Sequence, residues 1–150
     1  GGKPEEVRAL EHELRMVKME HQEAMGLIGD FEASNGRWAL ENGQLRSELR
    51  VSYNNIGTSL KKGGEVVKAL QMYEKALSLL GNLTAESPPE QLLEAAPILI
   101  NVGSAHLAIG QPEEAAPNFQ RALDIRREHL GEENKLTVAA AKWLAKCTDA

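Results

Sequence analysis

Tyr53-Asn54-Asn55-Ile56-Gly57-Thr58-Ser59-Leu60, followed by Ala69-Leu70-Gln71-Met72-Tyr73-Glu74-Lys75-Ala76-Leu77, has a second copy 46 residues further along the chain. Tyr53, Ile56, Gly57, Leu60, Gly64, Ala69, Tyr73, Ala76 and Leu77 recur as Leu99, Val102, Gly103, His106, Gly110, Ala115, Phe119, Ala122 and Leu123. Residue class is kept throughout, except that His106 stands in place of Leu60. An ordered set repeated at one offset predicts stacked helical hairpins, an architecture that works as a binding surface and needs no catalytic centre.

Each repeated residue has a packing reason. Tyr53, Ile56, Gly57 and Leu60 follow the 3, 4 and 7 spacing of one helix face. Gly57 and Gly103 fall inside helices, where glycine costs roughly 1 kcal/mol relative to alanine. That cost is explained if a second helix passes too close to leave room for a β-carbon. Gly63 and Gly64, and later Gly110, supply the turn. The second helix then presents Ala69, Tyr73, Ala76 and Leu77, small where helices cross and bulky where they fill.

These residues resemble the tetratricopeptide repeat family. The second copy, from Glu114-Ala115-Ala116-Pro117 through Arg121-Ala122-Leu123-Asp124-Ile125-Arg126 to Leu130-Gly131, is similar to the subtype of kinesin light chains, whose period is about 42 residues. Tyr53-Asn54-Asn55-Ile56-Gly57 is similar to that subtype's Leu-Asn-Asn-Leu-Ala. Counting 42 on from Gly103 reaches Ala145, within Ala141-Lys142-Trp143-Leu144-Ala145, the expected first helix of a third unit. The resemblance covers residues 50–147 and implies a right-handed α-α superhelix of about two and a half repeats: 50–82, 89–130 and a capping helix at 134–147. The spacing of 46 departs from the subtype, and Leu83 to Pro89 reads as an enlarged connection. Pro97 and Pro117 interrupt helices and should bend them, since proline removes a donor and clashes with the preceding turn; Pro117 matches a proline of the subtype and Pro97 does not.

Residues 4–49 carry a heptad instead. Val7, Leu14, His21, Ile28, Asn35, Asn42 and Leu49 fall at position a, and Leu10, Val17, Ala24, Phe31, Trp38 and Leu45 at d. An unbroken register of this length predicts a long coiled-coil helix, and asparagines at a favour a parallel pair in which they bond across the axis. Glu13 facing Lys18 and Glu41 facing Arg46 agree with that pairing. A parallel homodimer is therefore expected, with Leu10, Leu14, Val17, His21, Ile28, Phe31, Asn35, Trp38, Asn42 and Leu45 at its interface. The alternative is a hairpin folding back onto the repeats, with Gly29-Asp30-Phe31-Glu32-Ala33 as its turn. No proline or turn cluster separates Leu45 from Lys62, so one helix is expected to join the two regions.

The fold class is thus all-α, and the chemistry expected of it is binding. Aromatic residues make up only 4% of the chain, which suits helices packed with Ala and Leu. A formal charge of −5 argues against nucleic-acid or anionic-membrane partners. Cys147 is the one cysteine, which excludes an intramolecular disulfide and fits a cytoplasmic setting. His12, His21, His106 and His129 share no metal-ligand spacing with each other or with Cys147. Gly63-Gly64 lacks the lysine and hydroxyl of a phosphate loop. No enzyme activity, cofactor or metal is expected.

The expected ligand site is the inner face of the first helices. Val51, Asn55, Thr58 and Lys62 lie opposite the packing stripe, and Pro97, Asn101, Ser104 and Ala108 are their counterparts. Asparagine offers both a donor and an acceptor to an extended peptide backbone, and the light-chain resemblance implies that Asn54, Asn55 and Asn101 face a cargo-peptide groove, with Thr58, Lys62 and Ser104 beside them. The expected function is a non-enzymatic adaptor or scaffold, in which the coil dimerises and the repeats hold a peptide or helix. The resemblance suggests motor-, microtubule- or cilium-linked transport and a cytoskeletal association. The rival expectation is a structural protein whose repeats bind its own coil and build a lattice.

Overall fold

The computed structural model describes residues 4–33 and 43–149, and among them every regular element is an α-helix. In chain order these are α1 (Glu5–Ala33), α2 (Gly43–Lys62), α3 (Val66–Ser78), α4 (Pro89–Ala108), α5 (Pro112–Leu130) and α6 (Lys135–Thr148). Helices α2 and α3 form one hairpin and α4 and α5 a second. The hairpins stack through α3 on α4 and α2 beside α4, and α6 packs on α5 and touches α4.

The intra-helical glycines set how close the two helices of a hairpin come. A β-carbon built on Gly57 would lie 2.6 Å from Cε1 of Tyr73, and one on Gly103 would lie 2.5 Å from Cε1 of Phe119. Both rings are buried, as are Ala69, Ala76, Ala115 and Ala122 around them. The missing β-carbon thus lets an aromatic ring rest against bare helical backbone.

Both hairpin turns use the same device. Gly64 and Gly110 adopt φ of 84° and 73°, a left-handed conformation that glycine takes without a side-chain clash. The N–H of Glu65 reaches back to the Leu60 carbonyl at 2.8 Å while that of Gly64 meets Lys61 at 3.0 Å. Gln111 to His106 (2.9 Å) and Gly110 to Leu107 (3.0 Å) repeat the pattern. These paired bonds are the Schellman cap, which satisfies the last carbonyls of the first helix. They also explain the one break in the repeat: His106 Nδ1 lies 2.8 Å from Gln111 Oε1, so a side-chain hydrogen bond closes the second cap where buried Leu60 serves the first.

The enlarged connection spans residues 79–88, between Ser78 and Pro89. Three side chains hold its carbonyls: Arg46 donates to Leu79 at 2.7 Å, Gln91 to Leu80, and Arg121 to Leu83 at 2.9 Å. The terminal unit is a single helix. Asn134 caps α6 by accepting from the Leu136 N–H at 2.9 Å. Trp143 stacks on Phe119 with centroids 5.4 Å apart, and buried Arg126 donates to the Leu136 carbonyl at 3.0 Å. Thr137 and Ala140 make the buried contacts of α6, whereas Ala145, expected as the counterpart of Gly103, is exposed.

Two findings revise the reading of the N-terminal region. First, α2 begins at Gly43, so the first repeat helix includes residues that the heptad placed in the coil; Leu49 is buried in the repeat core. Second, α1 packs on α2 of the same chain. Val17 lies against the repeat core, and the His21 ring meets Tyr53 edge-on at 5.7 Å, with the Lys75 ammonium 5.8 Å from the Tyr53 ring centroid. Val17 and His21, expected at a seam between two chains, therefore face their own chain, as in the fold-back alternative, although residues 29–33, expected as its turn, are helical and end α1. The physical reason is that a tethered helix meets the apolar α2 face at high effective concentration. Of the other expected interface residues, Asn35, Trp38 and Asn42 lie outside the described residues, as do the side chains of Leu10, Leu14, Ile28, Phe31 and Leu45.

Gly57→Ala and Gly103→Ala should each destabilise the chain by about 1–3 kcal/mol in urea unfolding, although alanine is the better helix former, because the buried ring must move. A rise in stability for either would show that the rings have room. The docking of α1 should also depend on pH. His21 Nδ1 is buried with no hydrogen-bond partner among the described residues, and burial, assisted by Lys75, lowers the imidazole pKa from 6.5. Docking favours the neutral ring, so its full contribution is present above pH 6.5 and is lost as pH falls below that value. Hydrogen exchange of the α1 amides should accelerate over that range in the parent and change less in His21→Phe; equal acceleration in both would contradict this assignment.

Candidate functional site

The first helices of the two hairpins run side by side, and the strip where they meet is polar. On α2, Arg50, Asn54 and Lys61 share one side, and α4 answers with Glu94, Asn101 and Ser104. Arg50 Nη1 donates to Glu94 Oε2 at 2.7 Å, while Nη2 donates to Ser47 Oγ at 3.2 Å. Asn101 Nδ2 donates to Asn54 Oδ1 at 2.8 Å. Lys61 Nζ donates to the Ser104 hydroxyl, and burial lowers its pKa. These three rungs tie one repeat to the next.

The rungs leave hydrogen-bonding capacity unused. An asparagine amide carries two donors and an acceptor with two lone pairs. Among the described residues, no side chain takes up the Asn54 amide N–H groups or the Asn101 oxygen. Beside them, a cleft of ≈ 230 Å³ opens between α2 and α4, lined by Arg50, Val51, Asn54, Glu94, Pro97 and Ile98. A second, of ≈ 260 Å³, continues beyond the Arg50–Glu94 pair toward Leu79 and Gln91. The ion pair therefore forms a wall common to both.

The residues expected in a groove divide into three groups. Asn54 and Asn101 come together as a half-buried pair. Asn55 and Lys62 are exposed on α2 and meet solvent. Thr58 and Ser104 are turned inward: the Thr58 hydroxyl lies 3.1 Å from the Asn54 carbonyl and 3.2 Å from the Tyr73 hydroxyl, and Ser104 is only 6% exposed. Arg50, Lys61 and Glu94 were not singled out from the sequence. Their signal was an opposite-charge pair, Arg50 and Glu94, separated by 44 residues, close to the repeat offset. Head-to-tail stacking explains the shift, because the side of α2 that faces α4 is a different set of repeat positions from the side of α4 that faces α2.

Among the described residues, no group of three or more His, Cys, Asp or Glu stands close enough to hold a metal ion. Burial pushes the Cys147 thiol up, away from a reactive thiolate. No described helix is long and apolar enough to cross a membrane.

Comparison with known proteins agrees with the hairpin geometry. Residues 98–134, from the middle of α4 through α5 to the cap of α6, match the tetratricopeptide repeat family, so the chain carries a tetratricopeptide repeat. Such repeats are typically non-enzymatic and generally mediate protein–protein interaction. The chain is also similar to FK506-binding protein-like proteins. It is 30% identical to that of Homo sapiens over 103 residues, which cover 69% of this chain and 28% of the relative. It is 32% identical to that of Rattus norvegicus over 99 residues, covering 65% and 27%. The chain thus spans little more than a quarter of the length of these relatives.

The Asn54–Asn101 rung should be measurable by a double-mutant cycle in urea unfolding. Asn54→Ala and Asn101→Ala should each cost about 1 kcal/mol, and the double variant less than their sum by about 0.5–1.5 kcal/mol, because the first substitution already removes the bond. Strict additivity would show that the amides do not interact.

Proposed function

We propose that this chain is a non-enzymatic interaction adaptor that holds a protein or peptide ligand along the α2–α4 face. The observation that carries the reading is the Asn54–Asn101 pair, which presents unused donors and an acceptor beside an open cleft. Exposed Val51, Asn55 and Lys62 extend that surface along α2. A mixture of apolar floor and two-way amide groups suits an extended chain, whose backbone alternates donors and acceptors. The resemblance to kinesin light chains supports a cytoplasmic setting in motor-, microtubule- or cilium-linked transport. The net charge of −5 supports protein partners over nucleic acid or anionic membrane.

The packing of α1 favours a second reading, self-assembly. Helix α1 already sits on α2 through Val17 and His21, so its exchange between copies would join chains without any new surface. Parallel pairing of two α1 segments belongs to the same reading. Light scattering over a concentration series distinguishes the two: an adaptor keeps one mass, whereas an assembling protein grows.

Peptides selected on the full chain from a displayed library of linear ten-residue sequences provide the functional test. Asn55→Ala with Lys62→Ala alters only exposed positions, so circular dichroism should be unchanged while affinity for a selected peptide falls about fivefold to a hundredfold. The part due to Lys62 should shrink as salt rises. Unchanged affinity in the double variant would move the site off this face.

A further inference from the structure

The two outermost helices of the stack carry opposite charge. Helix α1 holds eight acidic residues against three basic ones, Arg8, Arg15 and Lys18, whereas α6 holds three lysines and no acidic residue. The chain as a whole stands at −5, so α6 is a basic element in an acidic protein. Among the described residues α1 packs on α2, α6 packs on α5 and α4, and α1 and α6 do not touch.

Each of these helices also turns an apolar stripe away from the repeats. On α1, Val17 and His21 take the side that meets the repeat core, while Met16, Met19, Glu20 and Glu23 follow the 3, 4 and 7 spacing of the outer side. Met16 is 46% and Met19 53% exposed, and both glutamates are exposed. On α6, Thr137 and Ala140 are buried, and Val138, Ala141, Lys142 and Ala145 share the same spacing on the opposite side. All four are exposed, and exposed Lys146 extends the row. Among the described residues, Glu20, Glu23 and Lys142 have no ion-pair partner. The Lys146 ammonium lies 4.1 Å from the centroid of the Trp143 ring, a contact that leaves its charge in place.

We propose that the outer face of α1 docks on the outer face of α6 of a second copy of this chain. Met16 and Met19 cover the Val138–Ala141–Ala145 stripe, and Glu20 and Glu23 meet Lys142 and Lys146. Charge complementarity identifies the occupant: the acidic helix that suits a basic α6 face is carried by every copy, at the other end of its stack. Methionine adapts to the surface it meets, and alanine lets a helix approach closely. On both helices the charged row lies on the same rotational flank of the apolar stripe, so antiparallel docking brings glutamates to lysines. The contact rests on the self-assembly reading and adds the two surfaces that join; α1 stays seated on its own α2. Because the joined surfaces differ, each added copy presents a fresh α1 and a fresh α6, and growth is open-ended.

Light scattering of the full chain over a concentration series at low salt provides the test. Mass should rise with concentration, and added salt should reduce the rise, because the pairing charges are exposed. Two charge-reversed variants locate the contact: Glu20→Lys with Glu23→Lys, and Lys142→Glu with Lys146→Glu. Both alter only exposed positions, so circular dichroism should match the parent. Each variant alone should need about ten- to a hundredfold more protein to reach the same mass. An equimolar mixture of the two should regain parental growth, since each supplies the charge that the other lacks. If the parent grows and neither variant changes it, or if both weaken growth and mixing fails to restore it, the α1–α6 contact is refuted. Assembly by exchange of α1 would still stand, because it leaves the outer face unused. A single mass at every concentration would remove the contact and the self-assembly reading together.

Discussion

The close contact between helical backbone and an aromatic ring, at Gly57 on Tyr73 and at Gly103 on Phe119, is the constraint from which the rest of the structure follows. A β-carbon at either glycine would overlap ring carbons that are themselves buried, so helix separation within each hairpin is set by its absence. That separation brings the alanines at 69, 76, 115 and 122 into full burial without larger side chains. It also places the Tyr73 hydroxyl beside Thr58 and presents the Phe119 ring to Trp143. The left-handed glycines at 64 and 110 complete the unit, because the cap that ends each first helix puts one residue at positive φ, a conformation that a β-carbon disfavours.

Stacking such units head to tail creates a surface that no single unit contains. Helices α2 and α4 carry equivalent positions, yet each shows the other a different side. Asn101 meets Asn54 and not its counterpart Asn55, and Ser104 meets Lys61 and not a threonine. The rungs stabilise the stack while leaving half of the asparagine groups unused. Pro97, inside α4, lines the neighbouring cleft together with Val51 and Ile98. The contacts that join the repeats and the wall of the cleft therefore share one strip of residues.

The N-terminal helix illustrates how one pattern serves two partners. A heptad specifies which side of α1 is apolar, and any apolar stripe of suitable length can cover that side. In this chain the nearest stripe belongs to α2, and Val17 and His21 lie on it. At that contact burial, assisted by the neighbouring Lys75 ammonium, lowers the His21 imidazole pKa, which favours the neutral ring.

Much of this was legible before any coordinates. Local chemistry alone determined the all-helical class, the two hairpins, the turn glycines, the glycines at close approach and the terminal helix beginning near Asn134, because each depends on spacing within a few turns or on a residue with special backbone freedom. The tertiary structure decided what covers each face: the Arg50–Glu94, Asn54–Asn101 and Lys61–Ser104 rungs, the inward turn of Thr58, the start of α2 ahead of Leu49, and the fold-back of α1. Periodicity records that a face is apolar or polar but carries no address for its partner. In a head-to-tail stack that partner is a non-equivalent face some 43 to 47 residues away, reached only when the units are packed together.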